Sequence, residues 1–135
     1  MGQEDLKKYS ISATREIVGK DKIIGVSTHS LDQLDKANND DVDYIAYGPV
    51  FATKAKDYFL GAGEIKEAVA IAKKPLVFIG GINLSNLDEV LEKGARSIAA
   101  IRGIIQSDDI MGAARDFKNR MIKARGGKND YKDKR

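Results

Sequence analysis

PLVFIGGINLSNLDEVLEKGARSIAAIRGI, residues 75–104, is the stretch on which the reading of the fold turns. Pro75 opens a continuous apolar run, Leu76–Ile79, which ends on Gly80-Gly81. Residues 83–93 follow with Leu84, Leu87 and Leu91 on one stripe and stop at Gly94, as an amphipathic helix does. Ser97–Ile101 is a second apolar run, closed in turn by Arg102-Gly103. Both runs are apolar throughout rather than alternating, which suits strands covered on both faces.

The same unit extends in both directions. Upstream, strands are expected near 22–27 (KIIGVS) and 44–48 (YIAYG). The first leads into a helix begun by Ser30, with Gln33 completing a capping box. The second leads through a long irregular loop, residues 49–60, into a helix with Ile65, Ala68, Val69 and Ala72 on its buried face. Downstream, a last helix starts near Ser107 with Asp108 and Asp109 in its first turn, where carboxylates suit the dipole, and its buried stripe reads Ile110, Ala114, Phe117 and Met121. Residues 10–19 read as one more helix with no strand before it.

With strands near 22–27, 44–48, 76–79 and 97–101, the chain is expected to be an α/β protein of four consecutive βα units, its strands parallel. Residues 1–124 form this domain and 125–135 a basic, disordered tail. An open doubly wound sheet and half of a closed (β/α)8 barrel both fit, and periodicity does not choose between them. A complete barrel takes roughly 200 residues or more, so 135 residues correspond to part of one.

Composition narrows the function classes. A 42% apolar and 32% charged chain suits one globular domain with a core. No run approaches the ~18 apolar residues of a membrane span. No cysteine is present, which rules out thiolate chemistry and is compatible with a cytoplasmic protein. Between Lys118 and Arg135 stand eight Lys/Arg and two Asp, or +6, so the net +3 leaves −3 on the first 117 residues. The basicity belongs to a solvated terminus, and with no Trp to stack bases nucleic acid is not an expected partner.

Four places carry chemistry. The glycine turns after the last two strands, 79–83 and 101–104, let backbone N–H groups approach an anion, and in barrels these two loops are the frequent phosphate site. The long loop 48–57 brings Thr53 and Lys56, a hydroxyl and a cation, to the same rim. Ser27 ends its strand there as a further donor, and His29, the single histidine, is an acid/base possibility that also reads as a capping residue. Near the start, Glu4 and Asp5 offer hard oxygens for Mg2+.

GQEDL at 2–6, IGVSTHS at 24–30, DYIAYGPVFATKAK at 43–56, FIGGIN at 78–83 and SIAAIRGI at 97–104, in this order, resemble the thiamine phosphate synthase family, with the thiazole tautomerases as a close relative. The resemblance spans nearly the whole chain up to residue 124. It implies a TIM barrel and a transferase that condenses a hydroxymethylpyrimidine diphosphate with a thiazole phosphate, releasing pyrophosphate, by a dissociative route in which pyrophosphate leaves with Mg2+ help. By the same resemblance, Asp5 is a Mg2+ ligand, and Ser27 and Lys56 are catalytic groups on the pyrophosphate. Thr53 then lies on the thiazole side, while Gly81 and the Ile101–Arg102 backbone bind the thiazole phosphate.

Two departures qualify the resemblance. Ala55 stands where the family has a second threonine in its Pro-Thr-x-Thr-Lys loop. The family's pyrimidine-binding residues and an Asn-Asp pair of Mg2+ ligands lie on strands preceding GQED, so a missing N-terminal half or a second chain is expected to complete the barrel. Two rival readings stand beside the synthase: a thiazole tautomerase working through His29, and a non-catalytic half barrel that binds a phosphorylated ligand.

Overall fold

The computed structural model describes residues 1–54 and 57–126. Four parallel strands, β1 (Gly25–Thr28), β2 (Tyr44–Tyr47), β3 (Leu76–Ile79) and β4 (Ile98–Ala99), lie side by side in chain order. Val26 pairs with Ile45, Ile45 with Leu76, and Phe78 with Ile98. That order decides the question periodicity left open. A doubly wound sheet reverses direction at a switch point, whereas these strands advance without reversal, as barrel strands do.

The helices are α1 (Gln3–Leu6), α2 (Ile11–Val18), α3 (Leu31–Ala37), α4 (Ile65–Ile71, preceded by a 3-10 turn at Ala62–Glu64), α5 (Leu87–Glu92), α6 (Arg102–Ile105) and α7 (Ile110–Ala124). Leu34 of α3, Ile65 of α4, and Leu87 and Val90 of α5 are fully buried together with Ile45 and Phe78 of the sheet. Tyr47 meets Phe78 edge to face, with ring centroids 6.0 Å apart. The Tyr47 hydroxyl donates to a Glu64 carboxylate oxygen, which satisfies the one polar atom this ring takes into the core.

Local chemistry sets most element ends. Ser10, Ser30 and Asp109 cap α2, α3 and α7 by accepting from the N–H groups of Ala13, Gln33 and Gly112. The capping box differs from the expected form: Gln33 Oε1 accepts from His29 N–H at 2.8 Å, one residue ahead of the cap. At the opposite end of the sheet, Arg15 of α2 donates to Asp43 at 2.7 Å and to Asp41 at 3.2 Å. The Ile24 N–H and then Arg15 hold the Asp43 carboxyl below its usual range.

The strand bounds and the stripe of the last helix needed correction. β1 starts at Gly25 rather than Lys22, and β4 is two residues long, because Ile101 (φ −107°, ψ −76°) already begins the turn of α6, which periodicity did not reveal. The buried stripe of α7 is Ala113, Phe117 and part of Met121; Ile110 is half exposed and Ala114 exposed. Both stripes satisfy helical spacing. Phe117 and Met121 are common to both and Ala113 replaces Ile110 and Ala114; Arg120 ties α7 to the start of α5 by donating to Leu84 O at 2.8 Å and to Asp88 at 3.1 Å. The outer side of β1 is covered by the chain start: the Met1 amino group donates to Gly25 O, and Ser27 N–H donates to Met1 O at 2.9 Å. At the C-terminal end, Arg125 donates to Arg96 O.

Candidate functional site

The C-terminal ends of all four strands open onto one cavity of about 780 Å³. Each strand contributes through the loop that follows it. Ser27, Thr28 and His29 come from the end of β1, and Gly48, Pro49, Ala52, Thr53 and Lys54 from the loop after β2. Gly80, Gly81, Ile82 and Asn83 follow β3, and Ile101, Arg102 and Gly103 follow β4. No carboxylate lies among these described lining residues, while Lys54 and Arg102 bring positive charge. An anion is what this rim suits.

The loop after β2 is laid directly over the glycine turn. Val50 N–H donates to Ile79 O at 2.9 Å and Phe51 N–H to Gly80 O at 3.0 Å, so residues 49–52 run along the end of β3. This approach is what demands glycine there. A Cβ on Gly80 would stand 2.4 Å from Pro49 Cβ, and one on Gly81 2.7 Å from Phe51 Cβ, and Gly81 has φ +66°. The glycines are therefore used twice, to admit the neighbouring loop and to leave their amides accessible.

Those amides define the site. Among the described residues, the N–H groups of Gly81, Ile82, Arg102 and Gly103 meet no acceptor, although Ile82 is only 3% exposed. Buried backbone donors are nearly always paired, so the unpaired Ile82 N–H, with the half-buried amides of Gly81, Arg102 and Gly103 beside it around a carboxylate-free cavity, points to an anionic ligand as the missing acceptor.

The cavity brings together Ser27, Thr53, Gly81, Ile101 and Arg102, all named from the sequence. It also takes in His29, whose Nδ1 is bonded to Gly48 O and whose ring meets Tyr58 edge-on, centroids 5.8 Å apart. Since a carbonyl only accepts, Nδ1 carries the proton and Nε2 is the acceptor of the neutral ring. Lys56 and Ala55 lie outside the described residues. Lys54, two positions before Lys56, lines the cavity and was passed over, because only the resemblance distinguished the two lysines. Thr28 was passed over too: its Oγ1 donates to Ala46 O at 3.0 Å, and no pattern marks it.

Asp5 does not line the cavity. It sits exposed on α1, its Oδ2 accepting from Gly2 N–H at 2.7 Å, and α1 is moored to the rim by Gln3 Nε2 donating to Ser27 O at 2.6 Å. Neighbouring Glu4 is engaged by Lys7 at 2.7 Å. Among the described residues there is no group of three or more His, Asp or Glu that could hold a metal. Asp5 is chemically suited to be one Mg2+ ligand, but these residues by themselves do not make a magnesium site.

Residues 1–104 match the family model described as thiamine monophosphate synthase. The chain is 38% identical over 123 residues to the thiamine-phosphate synthase of Persephonella marina, covering 90% of this chain and 57% of that one. It is 44% identical over 113 residues to that of Caldicellulosiruptor bescii, covering 82% and 50%. The solved thiamine phosphate pyrophosphorylase from Pyrococcus furiosus superposes with a TM-score of 0.81 at 32% identity, over 92% of this chain and 58% of its own. The chain thus spans about half the length of the curated relatives it matches.

Proposed function

The chain belongs to the thiamine monophosphate synthase family, and on that premise we propose that its rim cavity serves the condensation of a hydroxymethylpyrimidine diphosphate with a thiazole phosphate. In this reaction the bond from the pyrimidine methylene carbon to the diphosphate oxygen breaks, and pyrophosphate leaves with the electron pair. The thiazole nitrogen then bonds to the same carbon, giving thiamine phosphate. Positioning and charge stabilisation carry such a loose transition state.

The observation that supports this reading is the set of unpaired amides at Gly81, Ile82, Arg102 and Gly103 around one cavity. In the proposal they hold the thiazole phosphate, together with the Ile101–Arg102 backbone. Thr53 contacts the thiazole side, and Ser27 and Lys56 contact the pyrophosphate as it departs. Asp5 would be the carboxylate this chain contributes to holding Mg2+, which would supply charge neutralisation for the diphosphate. The remaining barrel strands come from a further segment or a second chain, and the protein works in the cytoplasm.

A titration of the 15N-labelled protein with the thiazole phosphate tests this. The amide resonances of Gly81, Ile82, Arg102 and Gly103 should shift together and saturate. Binding that moves other amides and leaves these still would refute the assignment. The accompanying assay is pyrophosphate release with both substrates and Mg2+, expected from the completed barrel and not from these 135 residues alone.

One observation favours a second reading, a thiazole tautomerase. His29 lines the cavity with Nδ1 fixed on Gly48 O, which presents Nε2 as a base. Metal dependence separates the two readings.

A further inference from the structure

The Gly81–Ile82 stretch makes its hydrogen bonds to side chains rather than to neighbouring backbone. Gly81 O accepts from Asn86 Nδ2 at 3.0 Å and from Asn83 Nδ2 at 3.4 Å. The other half of the Asn86 carboxamide, Oδ1, accepts from Asn83 N–H at 2.9 Å. One side chain therefore clasps both ends of the turn, from outside the cavity, since Asn86 is not among its lining residues while Gly81, Ile82 and Asn83 are.

We propose that Asn86 is a positioning residue for phosphate recognition: its carboxamide aims the Ile82 N–H into the cavity by holding the opposite end of the same peptide plane. In a trans peptide the C=O and N–H dipoles point in opposite directions, and the Gly81–Ile82 bond is trans. Anchoring Gly81 O on the α5 side directs Ile82 N–H to the other side, where the cavity lies. Gly81, at φ +66° with no side chain, has the freedom to let this peptide turn if the anchor is removed. Asn83 alone is a weak anchor, because its 3.4 Å bond is long and its own Oδ1 is engaged by Ser85 N–H at 2.8 Å. This inference rests on the reading of the cavity as a phosphate site.

Two variants test it. Asn86→Ala removes both bonds; Asn86→Asp keeps an acceptor for Asn83 N–H and loses the donor to Gly81 O. In both, the affinity for the thiazole phosphate should fall about tenfold to a hundredfold, the loss expected of a misaimed donor. The Ile82 amide should cease to respond to that ligand, while Arg102 and Gly103 still shift at higher concentration. The thermal midpoint should stay close to that of the unaltered chain for at least the Asp variant. Unchanged affinity with a responsive Ile82 amide would overturn the proposal. So would a uniform loss of signal dispersion in both variants, since Asn86 would then merely hold the fold. If the unaltered chain shows no response at Gly81 and Ile82, it is the phosphate site itself that fails.

Discussion

Gly103 lies so close to Ile82 that a Cβ on the glycine would stand 2.5 Å from the Ile82 carbonyl oxygen and 2.9 Å from Asn83 Cα. The two glycine turns are thus one interlocked unit, with the turn after β4 packed directly on the turn after β3. Backbone on both sides leaves little room for adjustment. Gly103→Ala should therefore cost about 1–3 kcal/mol, as overpacking does, and should weaken thiazole phosphate binding in parallel. Chemical denaturation and calorimetric titration of the variant check both, and an alanine tolerated without loss of either would contradict the interlock.

Arg102 supplies cavity charge as well as an unpaired amide. Arg102→Gln leaves the amide and removes the guanidinium. A charge-assisted contact to a phosphate is worth about 1.5–3 kcal/mol, so affinity should drop by about tenfold or more. Its dependence on ionic strength should also flatten. Titrations at low and high salt read both; equal affinity would leave only the backbone of residue 102 in contact with the ligand.

Asp5→Asn discriminates between the synthase and tautomerase readings. The asparagine Oδ1 still accepts from Gly2 N–H, so α1 keeps its first turn, while the carboxylate charge is lost. In the barrel completed by its remaining strands, Mg2+-dependent pyrophosphate release should fall in the synthase, and chelation of the metal should abolish what is left. Turnover of a thiazole substrate that ignores both the substitution and the chelator would favour the tautomerase and its His29.

Burial and the Glu64 carboxylate raise the Tyr47 hydroxyl above its ordinary pKa of 10.0. A group raised in the folded state contributes stability that is fully present below 10.0 and is lost as pH rises through the higher folded value. The denaturation midpoint should accordingly decline on the alkaline side of pH 10.0. Tyr47→Phe should cost about 2 kcal/mol at neutral pH by deleting a bond to a charged acceptor, and should blunt that alkaline decline. A variant with the same alkaline slope would place the titration elsewhere.

Much of this was legible before any coordinates, for reasons that can be assigned residue by residue. Ser30 was readable as a cap because a side-chain oxygen next to free N–H groups is a local interaction, complete within three residues; Asp109, expected inside the first turn of a helix begun near Ser107, is instead the cap of α7. Other features were not legible. Ile110 and Ala114 lost their place in the core to Ala113 because both Ala113 and Ala114 stand at helical spacing from Phe117, and only the packing of α7 chooses between them. Lys54 and Asn86 were invisible because neither loop lysines nor helix-start asparagines are unusual where they stand.

The amino-acid sequence by itself determined the succession of strand and helix, the glycine turns and the family, since these depend on residue type and near-neighbour spacing alone. Tertiary structure decided the winding of the sheet, the packing of one turn upon another, and which amides are left without partners. Those are properties of segments distant along the chain, and only their approach in space fixes where a peptide dipole points.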